Sequence, residues 1–287
     1  GWQGVETPAQ GWDPVTVPST WQVAEKTVDY LGCAWYRREF AAPVAWKGLV
    51  VRIEFEAVFH TAEVFVNGRK AGEHVGKGYT AFAFDISGLL ELGARNAVAV
   101  RVDNAFAPAM LPWSASYDWT PDGGITRPVR LIVTPPVYIE RLWVDAVPEL
   151  PAGPTALSVT AVVRNATARA VRVGLDYLLK EEASGAPLQT DGSPIEETVP
   201  AGTAREVRFA EIRTDVLSKL WHFDHPHLYV LEAAISRKGK DIHRAATTFG
   251  VRKIEVRGTE FLLNGEPVRL AGVERMAGSH PDFGMAE

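Results

Sequence analysis

The sequence predicts an all-β protein of two consecutive sandwiches, the first a sandwich or jelly roll, the second immunoglobulin-like. Three observations carry this expectation. Short β-branched and aromatic runs recur along the chain, each closed by Gly, Pro, Asn or Asp. Helix-like periodicity is scarce throughout. A Thr134-Pro135-Pro136 break divides the 287 residues into two stretches, each of a size for one β domain.

The first stretch supplies its strands in order. Val50 to Phe55 is a β-branched and aromatic run, and Ala62 to Val66 leads into Asn67-Gly68. That dipeptide suits a two-residue type I′ hairpin, whose central positions both need positive φ. Gly78 to Ile86 alternates aromatic and small residues and puts Phe82 and Phe84 on one face. Asn96 to Asp103 repeats the two-residue period, with Val98, Val100 and Val102 together.

The pattern breaks between Asn104 and Arg127. This stretch holds Phe106, Trp113, Tyr117, Asp118 and Trp119 among prolines, and closes with Gly123-Gly124. Irregular segments of such length tend to be functional. Aromatic side chains beside a carboxylate suit a sugar, which stacks its C–H face while its hydroxyls take hydrogen bonds. The plainer reading has the aromatics capping the sandwich core and Asp118 opening an Asx turn. Asp103 and Asn104 are further candidates for a polar sugar contact, and they also simply end a strand.

In the second stretch the clearest strands are Leu157 to Val163, Ala170 to Leu178, Glu206 to Phe209 and Tyr229 to Ser236. Six or more short strands in about 110 residues match an immunoglobulin-like sandwich. Cys33 is the sole cysteine, so no inter-sheet disulfide accompanies the architecture. Phe249 to Val256 and Glu260 to Leu263 form a hairpin, and Asn264-Gly265 turns into Pro267 to Gly272. Val268 to Leu270 reads as the opening strand of a further domain. Because a strand edge does not stay unpaired, these residues either fold back locally or pair with chain beyond this sequence.

Composition removes several classes of function. Hydrophobic residues make up 46% and charged residues 23%, which is globular, and the formal net charge is -5. No basic run tracks phosphates, so no nucleic-acid partner is expected. No stretch reaches the ~20 apolar residues of a membrane-crossing helix, and no membrane partner is expected. No cofactor is expected either, since the sequence lacks a phosphate loop, a His-Glu-x-x-His motif and a calcium loop. His222, His225 and His227 invite a metal, but the surrounding Trp221 to Tyr229 segment reads as a packed turn into a strand, and no metal is assigned. The compartment is left open between the cytoplasm and the periplasm or exterior.

Six blocks, in order, give the sequence a family likeness. They are Trp35-Tyr36-Arg37-Arg38-Glu39-Phe40, Val64-Phe65-Val66-Asn67-Gly68, Gly78 to Ile86, and Gly123-Gly124-Ile125-Thr126-Arg127-Pro128-Val129. Trp221 with Pro226-His227-Leu228-Tyr229 is the fifth, and Phe249-Gly250-Val251-Arg252 with Phe261 to Pro267 the sixth. Together they resemble glycoside hydrolase family 2, which contains β-galactosidases, β-glucuronidases and β-mannosidases. The resemblance implies a galactose-binding-like jelly roll at 1–135 and an immunoglobulin-like sandwich at 136–250. It makes 251–287 a hairpin and the first strand of a truncated (β/α)8 catalytic barrel. Such a barrel needs about 250 residues.

In the family the barrel carries both glutamates of retaining hydrolysis, which stand ~5–5.5 Å apart. No glutamate here takes either role, and the chain alone is expected to be inactive. A family jelly-roll loop places a carboxylate near the sugar hydroxyls. Asp118 holds the matching position, with Tyr117, Trp119, Trp113 and Asn104 around it as candidate substrate contacts. The end departs from the family's Gly-Val-Asn-Arg-His-Glu pattern at Glu274, Met276 and Ala277. This speaks against galactosidase specificity and leaves the sugar open, with His280 or Asp282 as substitute contacts. The implied partner is a β-glycoside bound through the barrel, with assembly into a homo-oligomer as a further option. Two rival readings are a stand-alone carbohydrate-binding module and a structural or oligomerisation unit.

Overall fold

The computed structural model describes every residue except 1, 5–10, 109, 111, 112, 116–118, 190–192, 210, 274–281, 283 and 287. The chain divides into two compact units, Gly1–Val133 with Val273–Glu287, and Thr134–Gly272.

The first unit is built on a four-stranded antiparallel sheet. Its strands lie in the order Cys33–Ala41, Arg95–Asp103, Thr61–Val66 and Arg69–His74. A second sheet sets Val50–Phe55 between Val129–Thr134 and Phe82–Asp85. A third joins Ser19–Thr20, Gly124–Ile125 and Val58–Phe59. Alternation places side chains of like chemistry on one face. Val64, Val66, Val98, Val100 and Val102 thus meet Val51, Ile53 and Phe55 in one buried cluster. The hairpin at Asn67-Gly68 has φ of 49° and 76°, as a type I′ turn requires. Asn67 also braces it, accepting from the Ala97 N–H (2.9 Å) and donating to the Leu89 carbonyl (2.9 Å). The outermost strand, Arg69–His74, carries Lys70 and Glu73, which keep an exposed edge from pairing with other chains.

The second unit packs two sheets face to face. One orders Val137–Pro148, Thr155–Asn165 and Ala204–Arg208, with Ile212–Thr214 also pairing to the central strand. The other runs Pro187–Leu188, Val171–Glu181, Tyr229–Arg237 and Lys240–Phe249, with Ile195–Val199 also on Val171–Glu181. Strict alternation along Thr155–Asn165 buries Leu157, Val159, Ala161 and Val163 against Val173, Leu175, Leu231 and Ile235. A small meander follows, of Ile254–Arg257, Glu260–Leu263 and Glu266–Val268. Its Asn264-Gly265 turn has φ of 54° and 84°. Val268 pairs with Phe261 at the close of this meander.

Candidate functional site

The irregular segment after Arg95–Asp103 is held at its roots by a set of buried polar groups. Asp103 accepts from the Ala105 N–H (2.9 Å) through Oδ1, and from the Cys33 thiol (3.0 Å) and Arg101 (3.2 Å) through Oδ2. Burial by itself raises this carboxyl, but the Cys33 and Ala105 hydrogen bonds and the Arg101 charge outweigh it and hold the group below the usual carboxylate range. Asn104 is fully buried at 0% exposure. Its Oδ1 accepts from the Gly32 N–H (2.8 Å), its Nδ2 donates to the Pro121 carbonyl (2.7 Å), and its backbone N–H donates to the Gly32 carbonyl (3.2 Å). His60, also buried, lies within 2.9 Å of the Ala105 carbonyl at Nε2 and 2.8 Å of the Thr61 hydroxyl at Nδ1. A carbonyl only accepts, so Nε2 carries the proton in this pair.

Aromatic side chains gather above these roots. Trp119 donates its indole N–H to the Tyr79 hydroxyl (3.1 Å), and the two rings meet edge to face at 5.9 Å. Tyr79 leans on Phe59 at 5.5 Å and is 43% exposed. Burial raises its phenol, against the Trp119 hydrogen bond, and the Asp122 charge raises it further. Trp113 is 67% exposed. Asp122, only 9% exposed, receives a long hydrogen bond from the Thr20 hydroxyl (3.5 Å), and burial pushes its carboxyl up. The following Gly-Gly pair is a matter of space. A Cβ at Gly123 would stand 2.1 Å from Trp21 and 2.8 Å from the Asn104 Cβ, and one at Gly124 would stand 2.4 Å from the Ser19 carbonyl.

Of the residues singled out in the sequence, Trp113, Trp119 and Asn104 are therefore placed, while Tyr117, Asp118 and His280 lie outside the described residues. Trp119 belongs to an aromatic cluster with Tyr79, and Trp113 projects outward. Asn104 has its carboxamide engaged within the protein on both sides. Tyr79, Asp122, Thr20 and His60 were not singled out. Tyr79 sits inside a run that reads as strand, and Asp122 inside one that reads as turn. Elsewhere, the His225 and His227 rings stack at 6.3 Å, and His222 lies 3.5 Å from Asp224. Among the described residues no three His, Cys, Asp or Glu side chains converge on a metal position, and no helix is long and apolar enough to cross a membrane.

A jelly roll with an aromatic loop rooted at one end, followed by an immunoglobulin-like sandwich, defines the class of protein: the non-barrel architecture of glycosidases with sugar-binding front domains. The chain belongs to glycoside hydrolase family 2. Residues 2–135 match its sugar binding domain and residues 137–252 match the domain described as glycosyl hydrolases family 2. A putative beta-glucuronidase of Formosa agariphila is 31% identical over 269 residues, covering 92% of this chain and 31% of that protein. A beta-galactosidase of Thermoanaerobacter pseudethanolicus is 29% identical over 265 residues, covering 90% and 34%. The crystal structure of a Bacteroides uniformis beta-glucuronidase superposes with a TM-score of 0.84 at 26% identity, over 98% of this chain and 34% of that one. The chain thus spans about a third of the length of the curated relatives it matches.

Proposed function

We propose that this chain is the non-catalytic front of a retaining β-glycosidase, supplying scaffold and one loop of the sugar pocket. The observation that carries the reading is the ordered match of both sandwiches to the family, over a third of relatives named as β-glucuronidases and β-galactosidases. In this reading the acid/base and nucleophile carboxylates reside in a barrel outside this sequence. The chain's own residues bind and orient. Trp113 and the Trp119–Tyr79 pair offer apolar ring surface to a sugar, and a fixed loop lowers the entropy lost when the substrate is seated. Asp118 is the proposed hydroxyl acceptor of the same loop.

Two assays test the reading. The purified 287-residue chain should release no nitrophenol from a panel of nitrophenyl β-glycosides. The parent polypeptide should release its sugar with the β configuration retained, followed by proton NMR in the first minutes of turnover. Turnover by the chain alone, or an α product formed first, would overturn it.

A further inference from the structure

Asn104 stands at a crossing of three backbone segments. It follows the last residue of the strand Arg95–Asp103, and its side chain reaches Gly32 on one side and Pro121 on the other. Gly32 precedes the edge strand of the same sheet, and Pro121 is where the aromatic segment returns to the sandwich. One carboxamide therefore closes the neck of the segment that begins at Ala105 and carries Trp113 and Trp119. We infer that Asn104 is a positioning residue, the pin that fixes both ends of the aromatic loop, and not itself a sugar ligand. The inference deepens the proposed function and rests on it for the loop's role in recognition.

The chemistry of the pin is specific. Gly32 presents a donor and Pro121 an acceptor, so the side chain between them must accept at one atom and donate at the other without carrying charge. Asparagine does this in one planar group. The groups around the neck complement it: His60 and Asp103 both hold Ala105, the first residue beyond the pin. At the exit, Gly123 takes part because a Cβ there would meet Asn104 at 2.8 Å. The Gly123 N–H is held by the Gln22 side chain (2.9 Å), and its carbonyl accepts from Trp21 (3.0 Å). With no amide atom turned to solvent, Asn104 acts on a ligand only through the loop it closes.

Asn104→Asp separates this role from mere filling of space. A protonated carboxyl reproduces the pin, its O–H donating to Pro121 and its carbonyl oxygen accepting from Gly32. An ionised one sets a second acceptor against the Pro121 carbonyl. Amide hydrogen exchange on the 287-residue chain reads the outcome, each variant taken as a ratio to the unmutated chain, its parent, at the same pH between about 4.5 and 8. In Asn104→Ala the amides of Gly32, Ala105 and Gly123 should exchange about tenfold to a hundredfold faster at every pH, while those of Thr61–Val66 hold. Asn104→Asp should match the parent at low pH and diverge as its carboxyl ionises. Unchanged local exchange in both variants, or an Asn104→Asp that follows Asn104→Ala at every pH, would overturn the inference. If Asn104→Ala does not fold, the pH-reversible behaviour of Asn104→Asp decides alone. A sugar titration of the full-length glycosidase keeps the two claims apart: affinity indifferent to Trp119→Ala counts against the recognition reading, and the exchange ratios still judge the pin.

Discussion

Asp122 is a carboxylate in a place that disfavours its charge. Burial raises its pKa, and one long hydrogen bond from Thr20 only partly opposes this. The folded state then holds the proton more tightly than the unfolded chain. The stabilising contribution is complete below the ordinary carboxylate pKa of about 4 and is lost as pH rises through the raised folded value. Asp122→Asn, neutral throughout, should leave thermal stability unchanged near pH 4 and raise it near pH 7. A gain that does not grow with pH would count against a buried carboxylate here. Gly123→Ala should lower stability by about 1–3 kcal/mol, since its methyl must displace the Trp21 ring, and a denaturant midpoint measures this. The Gly123-Gly124 pair was legible as a motif, but the burial of Asp122 was not. Asp122 in Thr120-Pro121-Asp122-Gly123 has the local chemistry of a turn, and its partner Thr20 lies 102 residues away in sequence. Asn104 was legible as a polar residue ending a strand, but choosing between ligand and pin required knowing where Gly32 and Pro121 lie.

Elements with strong local chemistry were the legible ones. Val50–Phe55 reads directly from its pattern, and both Asn-Gly pairs form left-handed turns because few other dipeptides adopt positive φ twice in succession. Strands whose pattern is diluted were not singled out. In Val137–Pro148 the alternation is broken by a bulge between Ile139 and Arg141, and Trp143 faces outward. Lys240–Phe249 has no fully buried residue to announce it. The end of Thr155–Asn165 depends on one amide. Asn165 is buried, donates to the carbonyls of Arg169 (2.8 Å) and Val199 (3.0 Å), and accepts from the Thr167 N–H (2.9 Å). Asn165→Ala should therefore cost about 1–3 kcal/mol through the orphaned groups, measurable by urea unfolding. Asn165→Asp should recover little, because a carboxylate cannot donate to those carbonyls.

At the scale of the whole molecule, the division into two sandwiches was legible because Thr134-Pro135-Pro136 interrupts two long β-rich stretches, and each unit has its own buried cluster. Residues 134–272, produced alone, should therefore unfold in one cooperative transition, followed by tryptophan fluorescence in urea. A broad, non-cooperative loss of signal would contradict a self-sufficient core. The family was legible too, because its motifs sit in turns and strand starts whose local chemistry is restrictive. The sugar was not, because the candidate contacts lie in the irregular segment, where no periodicity restricts the reading. The central claim is that the aromatic loop of the first unit faces sugar. Isothermal titration of the full-length glycosidase, unmutated and as Trp119→Ala, with galactosides, glucuronides, mannosides and plant oligosaccharides tests it most directly. Heat from one sugar class, with affinity lowered in Trp119→Ala, is expected; affinity indifferent to Trp119 would overturn it.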